Sequence, residues 1–408
     1  MKPFPISFWS NIGMKDLVPD APAMWRDLGI TLAMSPGYGP DDKNELKALL
    51  DGSARLGIRV ILRDYRTHWR KLTELGEDGY RALFAEALAD FGSHPAVYGF
   101  FTGDEPDAKS AADAFRAMKI QGEMAPHLVA YLNLLPWFDW IAPRIGAKSL
   151  VEYLDRVVEE GNAKLLSYDC YVQMQAEFDG RDSYFENLRG YYLATKKHGV
   201  PFMNIALSCG HYRYKCPDKY ELQWQLCTSV AHGAGAVSWY VIQLPGISDN
   251  YRNAPINQFG ERTPAFYEMS EVNRIFNSHC GQIISGLKID ECYHVGRAFG
   301  GMPLFEPFGN VAEVESNDDV PLIFSRFRDA EGRTYYIVCC NSATETTYVS
   351  ITMRPGVSLE RCVFGNRFVK IGNHSDPVGA KEVRRGETAG IWLSPGYLAL
   401  LREVNEVG

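Results

Sequence analysis

The sequence predicts an α/β chain: a (β/α)8 TIM barrel, residues 1–286, followed by a small C-terminal antiparallel β-sandwich, residues 287–408. Three observations carry this. Eight short apolar runs alternate with longer segments of helical period between residues 4 and 244, the pattern of repeated β-α units around parallel strands. Glycines stand where helices hand over to strands. Near residue 287 the texture changes to short alternating runs rich in β-branched and aromatic residues.

Taken in order, the strand candidates are Phe4 to Trp9, Thr31 to Met34, Arg59 to Leu62, Val97 to Thr102, Leu128 to Leu132, Leu165 to Tyr168, Phe202 to Leu207 and Ala236 to Val241. Leu28-Gly29 precedes the second, Leu56-Gly57 the third, His198-Gly199 the seventh and Gly233-Ala234-Gly235 the eighth. Tyr80, Leu83, Phe84, Ala87, Leu88 and Phe91 recur at helical spacing and give one apolar stripe to lay on a sheet. The count of eight favours a closed barrel over an open doubly wound sheet. No Gly-rich phosphate loop follows the first strand and no Walker pattern occurs. A last amphipathic helix, Ala265 to Ile284, precedes the sandwich, whose clearest strands are Thr334 to Val338 and Tyr348 to Met353.

Composition narrows the function. The 408 residues suffice for a ~250-residue barrel plus one accessory domain. A net charge of −8 without basic runs argues against a nucleic-acid partner. No apolar stretch reaches the ~18 residues of a membrane helix, so no membrane partner is expected. Nine cysteines without zinc-ligand spacing, mostly inside apolar segments, read as buried thiols of a reducing compartment. A cytoplasmic location is therefore expected, although a removed leader would leave the same chain. No metal and no cofactor is expected, and self-association is left open.

In a (β/α)8 barrel the chemistry sits just past the carboxyl ends of the strands. There the chain offers Trp9, Tyr38, Arg63 with Asp64, Asp104 with Glu105, Asn133, Tyr168 with Asp169 and Tyr171, His211, Trp239 and Gln243. Aromatic platforms with amide, carboxylate, guanidinium and imidazole edges suit a carbohydrate substrate, whose flat C–H faces are rimmed by hydroxyls. Hydrolysis of a glycoside needs one carboxylic acid to protonate the leaving oxygen and a second carboxylate to attack or activate water. Glu105 fits the first role, its neighbour Asp104 helping to raise its pKa. The bland alternative is that both acids cap a helix starting near Pro106. Asp64, between Arg63 and Arg66, reads as ion-paired. His68, Trp69, Trp137 and Trp140 either line a sugar site or pack the loops, and a lone His211 is as readily structural.

The run Tyr98-Gly99-Phe100-Phe101-Thr102-Gly103-Asp104-Glu105-Pro106 resembles the fourth-strand motif of clan A glycoside hydrolases, in which Asn-Glu-Pro or a variant carries the acid/base glutamate. The layout is similar to β-galactosidase-like members: a barrel, a closing helix like Tyr267 to Asn273, then a sandwich ending in a segment like Leu393 to Tyr397. The resemblance implies Glu105 as general acid/base. It also implies a nucleophilic glutamate after the seventh strand, where this chain reads Phe202 to His211 without a carboxylate. Asp169 is the best substitute, its alternative being to orient an arginine or cap a loop. Gly103-Asp104-Glu105 is also similar to the hexosaminidase motif whose aspartate holds a 2-acetamido group, and Tyr168-Asp169 to the sixth-strand pair of chitinases. Three functions follow: a glycoside hydrolase of oligo- or polysaccharides, a substrate-assisted hydrolase of 2-acetamido sugars using Asp104 and Glu105, and a non-catalytic carbohydrate-binding barrel.

Overall fold

The computed structural model describes residues 2–244, 246, 250–371, 383–385 and 388–405. Eight strands, β1 (Ile6–Phe8), β2 (Leu32–Tyr38), β3 (Arg59–Asp64), β4 (Val97–Asp104), β5 (Val129–Leu134), β6 (Leu166–Asp169), β7 (Phe202–Leu207) and β8 (Ala236–Tyr240), form one parallel sheet in the order β1-β8-β7-β6-β5-β4-β3-β2. The remaining seam, between β1 and β2, is bridged by the Thr31 N–H donating to the Ile6 carbonyl at 3.0 Å and the Gly37 N–H to the Ile12 carbonyl at 3.0 Å. The sheet thus closes into the predicted barrel. Each expected run contains or overlaps its strand.

Around the strands run α1 (Ala21–Asp27), α2 (Lys43–Arg55), α3 (Arg70–Ala87), α4 (Ala111–Met124), the single turn α5 (Ala142–Ile145), α6 (Leu150–Gly161), α7 (Arg181–His198), α8 (Lys219–Ala231) and α9 (Pro264–Phe276). The stripe on α3 does what its spacing requires: Tyr80, Phe84 and Ala87 are buried, and Phe84 meets Phe100 of β4 edge-on, 5.4 Å between ring centroids. Burying one such ring contributes about 2–3 kcal/mol. Gly199, at φ 70, caps α7 in the left-handed conformation and lets the chain turn into β7. The closing helix runs through α9, widens by one residue per turn over Asn277–Gly281 and ends at Ile284.

Close packing divides the chain into two units. One, Pro5–Cys216 with Gly235–Glu271, holds all eight parallel strands. The other joins Met1–Phe4, Pro217–Ala234 and Val272–Gly408. Among the described residues it contains ten antiparallel strands: β9 (Lys288–Val295), β10 (Val311–Ser316), β11 (Leu322–Arg328), β12 (Thr334–Cys340), β13 (Thr347–Met353), β14 (Val357–Val363), β15 (Arg367–Lys370), β16 (Val383–Arg385), β17 (Thr388–Leu393) and β18 (Leu398–Asn405). They form sheets β10-β13-β17-β16 and β15-β14-β18-β12-β11-β9 around a core that includes Phe324, Tyr336, Val349, Ile351 and Leu401. Strict alternation of buried and half-buried residues along β13 is the period-2 pattern of a strand with one face inward. Within this unit Trp224 of α8 donates its indole N–H to Asn341 at 2.9 Å.

Candidate active site

The site is prepared by an irregularity in β4. Phe101 pairs with Tyr131, but Gly103 pairs with Leu132, so Thr102 is an extra residue with no partner across the ladder. Such a bulge re-aims the side chains that follow it. Thr102 turns to Gln121 of α4, and a Cβ on Gly103 would lie 1.8 Å from two ring carbons of Trp69, so only glycine fits. Glu105 then adopts φ 46, a left-handed conformation costing a non-glycine residue about 1–2 kcal/mol. Its N–H is held by the Asn133 carbonyl at 2.9 Å. Asp104 and Glu105, adjacent in sequence, consequently line the same cavity.

That cavity, about 250 Å³, opens at the carboxyl ends of the strands and is also lined by Trp9, Asn133, Asp169, Tyr171, His211 and Tyr240. Asn133 organises it. Its amide nitrogen donates to Asp104 at 3.0 Å and to Asp169 at 2.8 Å, while its oxygen accepts from the Ser167 hydroxyl at 3.2 Å, which in turn meets the Tyr131 hydroxyl at 2.8 Å. One amide therefore joins β4 to β6 and fixes two carboxylates at once. On the far wall Asn11 accepts from the Trp9 indole at 2.8 Å and donates to the Tyr240 hydroxyl at 3.1 Å.

Electrostatics follow from burial. Glu105 is pushed up to about 7, by desolvation first and by the charge of Asp104 second, with Arg144 pulling the other way. Asp169 is pushed up to about 8 by burial, then by Glu105, against hydrogen bonds from Asn133 and Tyr171. Asp104 is also raised by burial, opposed by Asn133 and Arg63. Three carboxyl groups in one low-dielectric space cannot all ionise near neutral pH, so the cluster retains a proton there. Burial lowers His211 to about 4 and keeps it neutral. Among the described residues no group of three or more His, Cys, Asp or Glu is arranged to hold a metal ion.

The other sequence candidates divide. Tyr38 and Arg63 line a neighbouring cleft of about 410 Å³, where Arg63 donates to the Ser10 carbonyl and lies 5.5 Å from the Phe101 ring centroid. Asp64 borders that cleft, but its buried carboxylate accepts from the Arg66 backbone N–H at 2.9 Å, Nε at 3.0 Å and Nη2 at 2.7 Å, leaving it a structural ion pair rather than a ligand contact. Tyr168 is not at the cavity either: strand alternation turns it outward, where it stacks on Tyr191 of α7 at 3.8 Å. Trp239 is fully buried and alternates with Tyr240, which takes the lining position. Gln243 lies to one side and donates to the Asp16 carbonyl at 2.7 Å. Of the loop rings, Trp69 and Trp137 are buried and Trp140 is exposed, stacked on Phe138 at 5.5 Å.

Asn11 and Tyr240, neither of them among the site candidates, also line the cavity; both stand in the strand-end runs Trp9-Ser10-Asn11 and Trp239-Tyr240, so position alone marks them. Arg144, whose Nη2 stands 3.8 Å from Glu105 Oε2, comes from α5 and carries no motif.

No protein-family model matches the chain, and no curated protein matches it in sequence. Its fold is similar to solved structures. The β-galactosidase of Bacillus circulans sp. alkalophilus superposes with a TM-score of 0.60 at 8% identity, with 99% of each chain covered. That of Rahnella sp. R3 gives 0.52 at 12% identity, covering 71% of this chain and 58% of the other. The chain also spans 59% of the β-galactosidase of Marinomonas ef1, less than two thirds of that protein. At these identities the likeness is one of fold: a (β/α)8 barrel with antiparallel β-sheets beyond it.

Proposed function

We propose that this chain is a glycosidase that hydrolyses O-glycosidic bonds of an oligo- or polysaccharide, with Glu105 as proton donor. The observation that carries the reading is a carboxyl group held near neutrality by burial and by Asp104, facing a second raised carboxyl, Asp169, across one cavity. A group poised near the working pH can both hold and give a proton. In the proposed step Glu105 protonates the glycosidic oxygen as the bond to the anomeric carbon breaks. Asp169, bearing negative charge, attacks that carbon or takes a proton from the water that does. This is one of the two singly protonated forms of the pair, the other holding the proton on Asp169, which burial raises further; once the proton is on Glu105 its repulsion of Asp169 is absent and Asp169 ionises more readily.

A second reading is substrate assistance, in which Asp104 holds the N–H of a 2-acetamido group and that group's oxygen attacks. Two features favour it. The seventh strand offers Ile205 rather than a carboxylate to the cavity, and Asp104 is fixed by Asn133 beside the charge of Arg63.

The test is hydrolysis of aryl and natural glycosides by the full chain and by Glu105→Gln. On a poor leaving group the variant should lose about 10²–10⁴ in rate, and an unchanged rate sinks the assignment. Inhibition by a thiazoline selects substrate assistance. Glycan binding without any turnover would instead fit a carbohydrate-binding barrel.

A further inference from the structure

We propose that the cleft on the outer side of Glu105 is a subsite for an acidic sugar, a carboxylate-bearing residue on the leaving-group side of the scissile bond, gripped by Arg70 and Arg144. This rests on the glycosidase reading and specifies its substrate class. Asp104 and Glu105 form a wall common to the inner cavity of about 250 Å³ and an outer cleft of about 460 Å³. Asp169 lines only the inner one, so the sugar under attack belongs inside and the departing sugar outside.

The outer cleft is bounded by Trp69, Arg70, Glu74, Asp107 and Arg144 as well as the shared acids. Its own acids are already committed. Asp107 accepts from the Ser110 hydroxyl at 2.7 Å and the Ser110 N–H at 3.0 Å, and Glu74 meets Lys71 Nζ at 2.5 Å. The guanidinium groups are not. Arg70 lies 5.7 Å from the centroid of the Trp69 ring and makes no ion pair among the described residues. Arg144 reaches Glu105 only at 3.8 Å, beyond hydrogen-bond range, and its side chain is 56% exposed. Its position is nevertheless fixed: the Ala108 N–H donates to the Arg144 carbonyl at 2.7 Å, tying α5 to the turn that follows Glu105.

Two planar forks with unused N–H groups are suited to a carboxylate, which takes two parallel hydrogen bonds from one guanidinium. The inner cavity, with three carboxyl groups, disfavours an anion. The charge of the substrate is thereby assigned to the leaving side.

The experiment is calorimetry of the full chain with galactosyl-β-1,4-glucuronic acid, which carries its carboxylate on the leaving-side residue alone, and with its carboxyl-reduced, neutral counterpart, lactose, at low and high salt. The acid should bind at least about tenfold tighter at low salt, with the ratio shrinking as salt screens it. The double variant Arg70→Gln/Arg144→Gln should lose the preference. If that variant fails to fold, Arg144→Lys, which keeps the charge but not the fork, should lose several-fold of it. Equal affinities in the parent protein, binding of neither disaccharide, or a preference that survives both variants overturns the proposal. Glu105-dependent turnover of neutral glycosides without acid preference removes the subsite alone. Acid preference without turnover of any glycoside removes the glycosidase reading and leaves the site.

Discussion

The mouth of the barrel has two unlike arcs. From β4 to β6 it carries Asp104, Glu105, Asn133 and Asp169, acids raised by burial and tied through one amide. From β7 through β8 to β1 it carries Ile205, His211, Tyr240 and Trp9, without a carboxylate among the lining residues. There rings meet rings: His211 stacks on Tyr251 at 5.5 Å, and the Tyr240 and Tyr251 hydroxyls lie 2.7 Å apart. Proton chemistry is thus confined to one side, and shape to the other. Burial acts on both but with opposite results, since it makes an acid retain its proton and a histidine lose one.

The largest expected contrast is mutational. Asp169→Asn on the acidic arc should lower kcat by about 10²-fold or more on natural glycosides; a rate within a few-fold of the parent would remove Asp169 from the chemistry and strengthen substrate assistance. The pH profile sharpens the same point. The proposed step uses Glu105 in its protonated form, so kcat/KM should decline above pH 7 by about tenfold per unit, the arm being absent in Glu105→Gln. On the ring arc, His211→Ala should raise KM by roughly three- to tenfold, the worth of a hydrogen bond, and change kcat little. A large kcat effect there would break the division. The smallest effect is on stability. Glu105 has a folded-state pKa above its ordinary value of 4.5, so its contribution is present below 4.5 and is lost as pH rises through about 7. Glu105→Gln should therefore melt about 1–2 °C higher than the parent at pH 8 and show no gain at pH 4, after allowance for partial exposure.

Much of the fold was legible because it depends on periodicities that short segments express by themselves. The Tyr80 to Phe91 stripe and Gly199 each announce one element without reference to the rest of the chain. The site was less legible. Position after a strand points to the mouth, but it does not say which of two neighbours faces inward: of the candidates Tyr168 and Asp169 only Asp169 lines the cavity, and Tyr240 lines it where Trp239 is expected. The bulge at Thr102 reverses that parity in β4, and nothing in the local sequence except Gly103 marks it. Arg144 could not be found at all, since its meeting with Glu105 depends on how two loops lie together.

The bridging amide of Asn133 has one more consequence, for the kind of ligand the inner cavity can recognise. Both hydrogens of that amide are already given to Asp104 and Asp169, the Trp9 indole hydrogen is given to Asn11, and Tyr171 is engaged with Asp169. Apart from the proton that the acid cluster retains, the wall therefore greets a visitor chiefly with lone pairs. A molecule rich in carbonyl or phosphoryl oxygen would find few hydrogens to receive, whereas one that arrives studded with O–H groups brings its own.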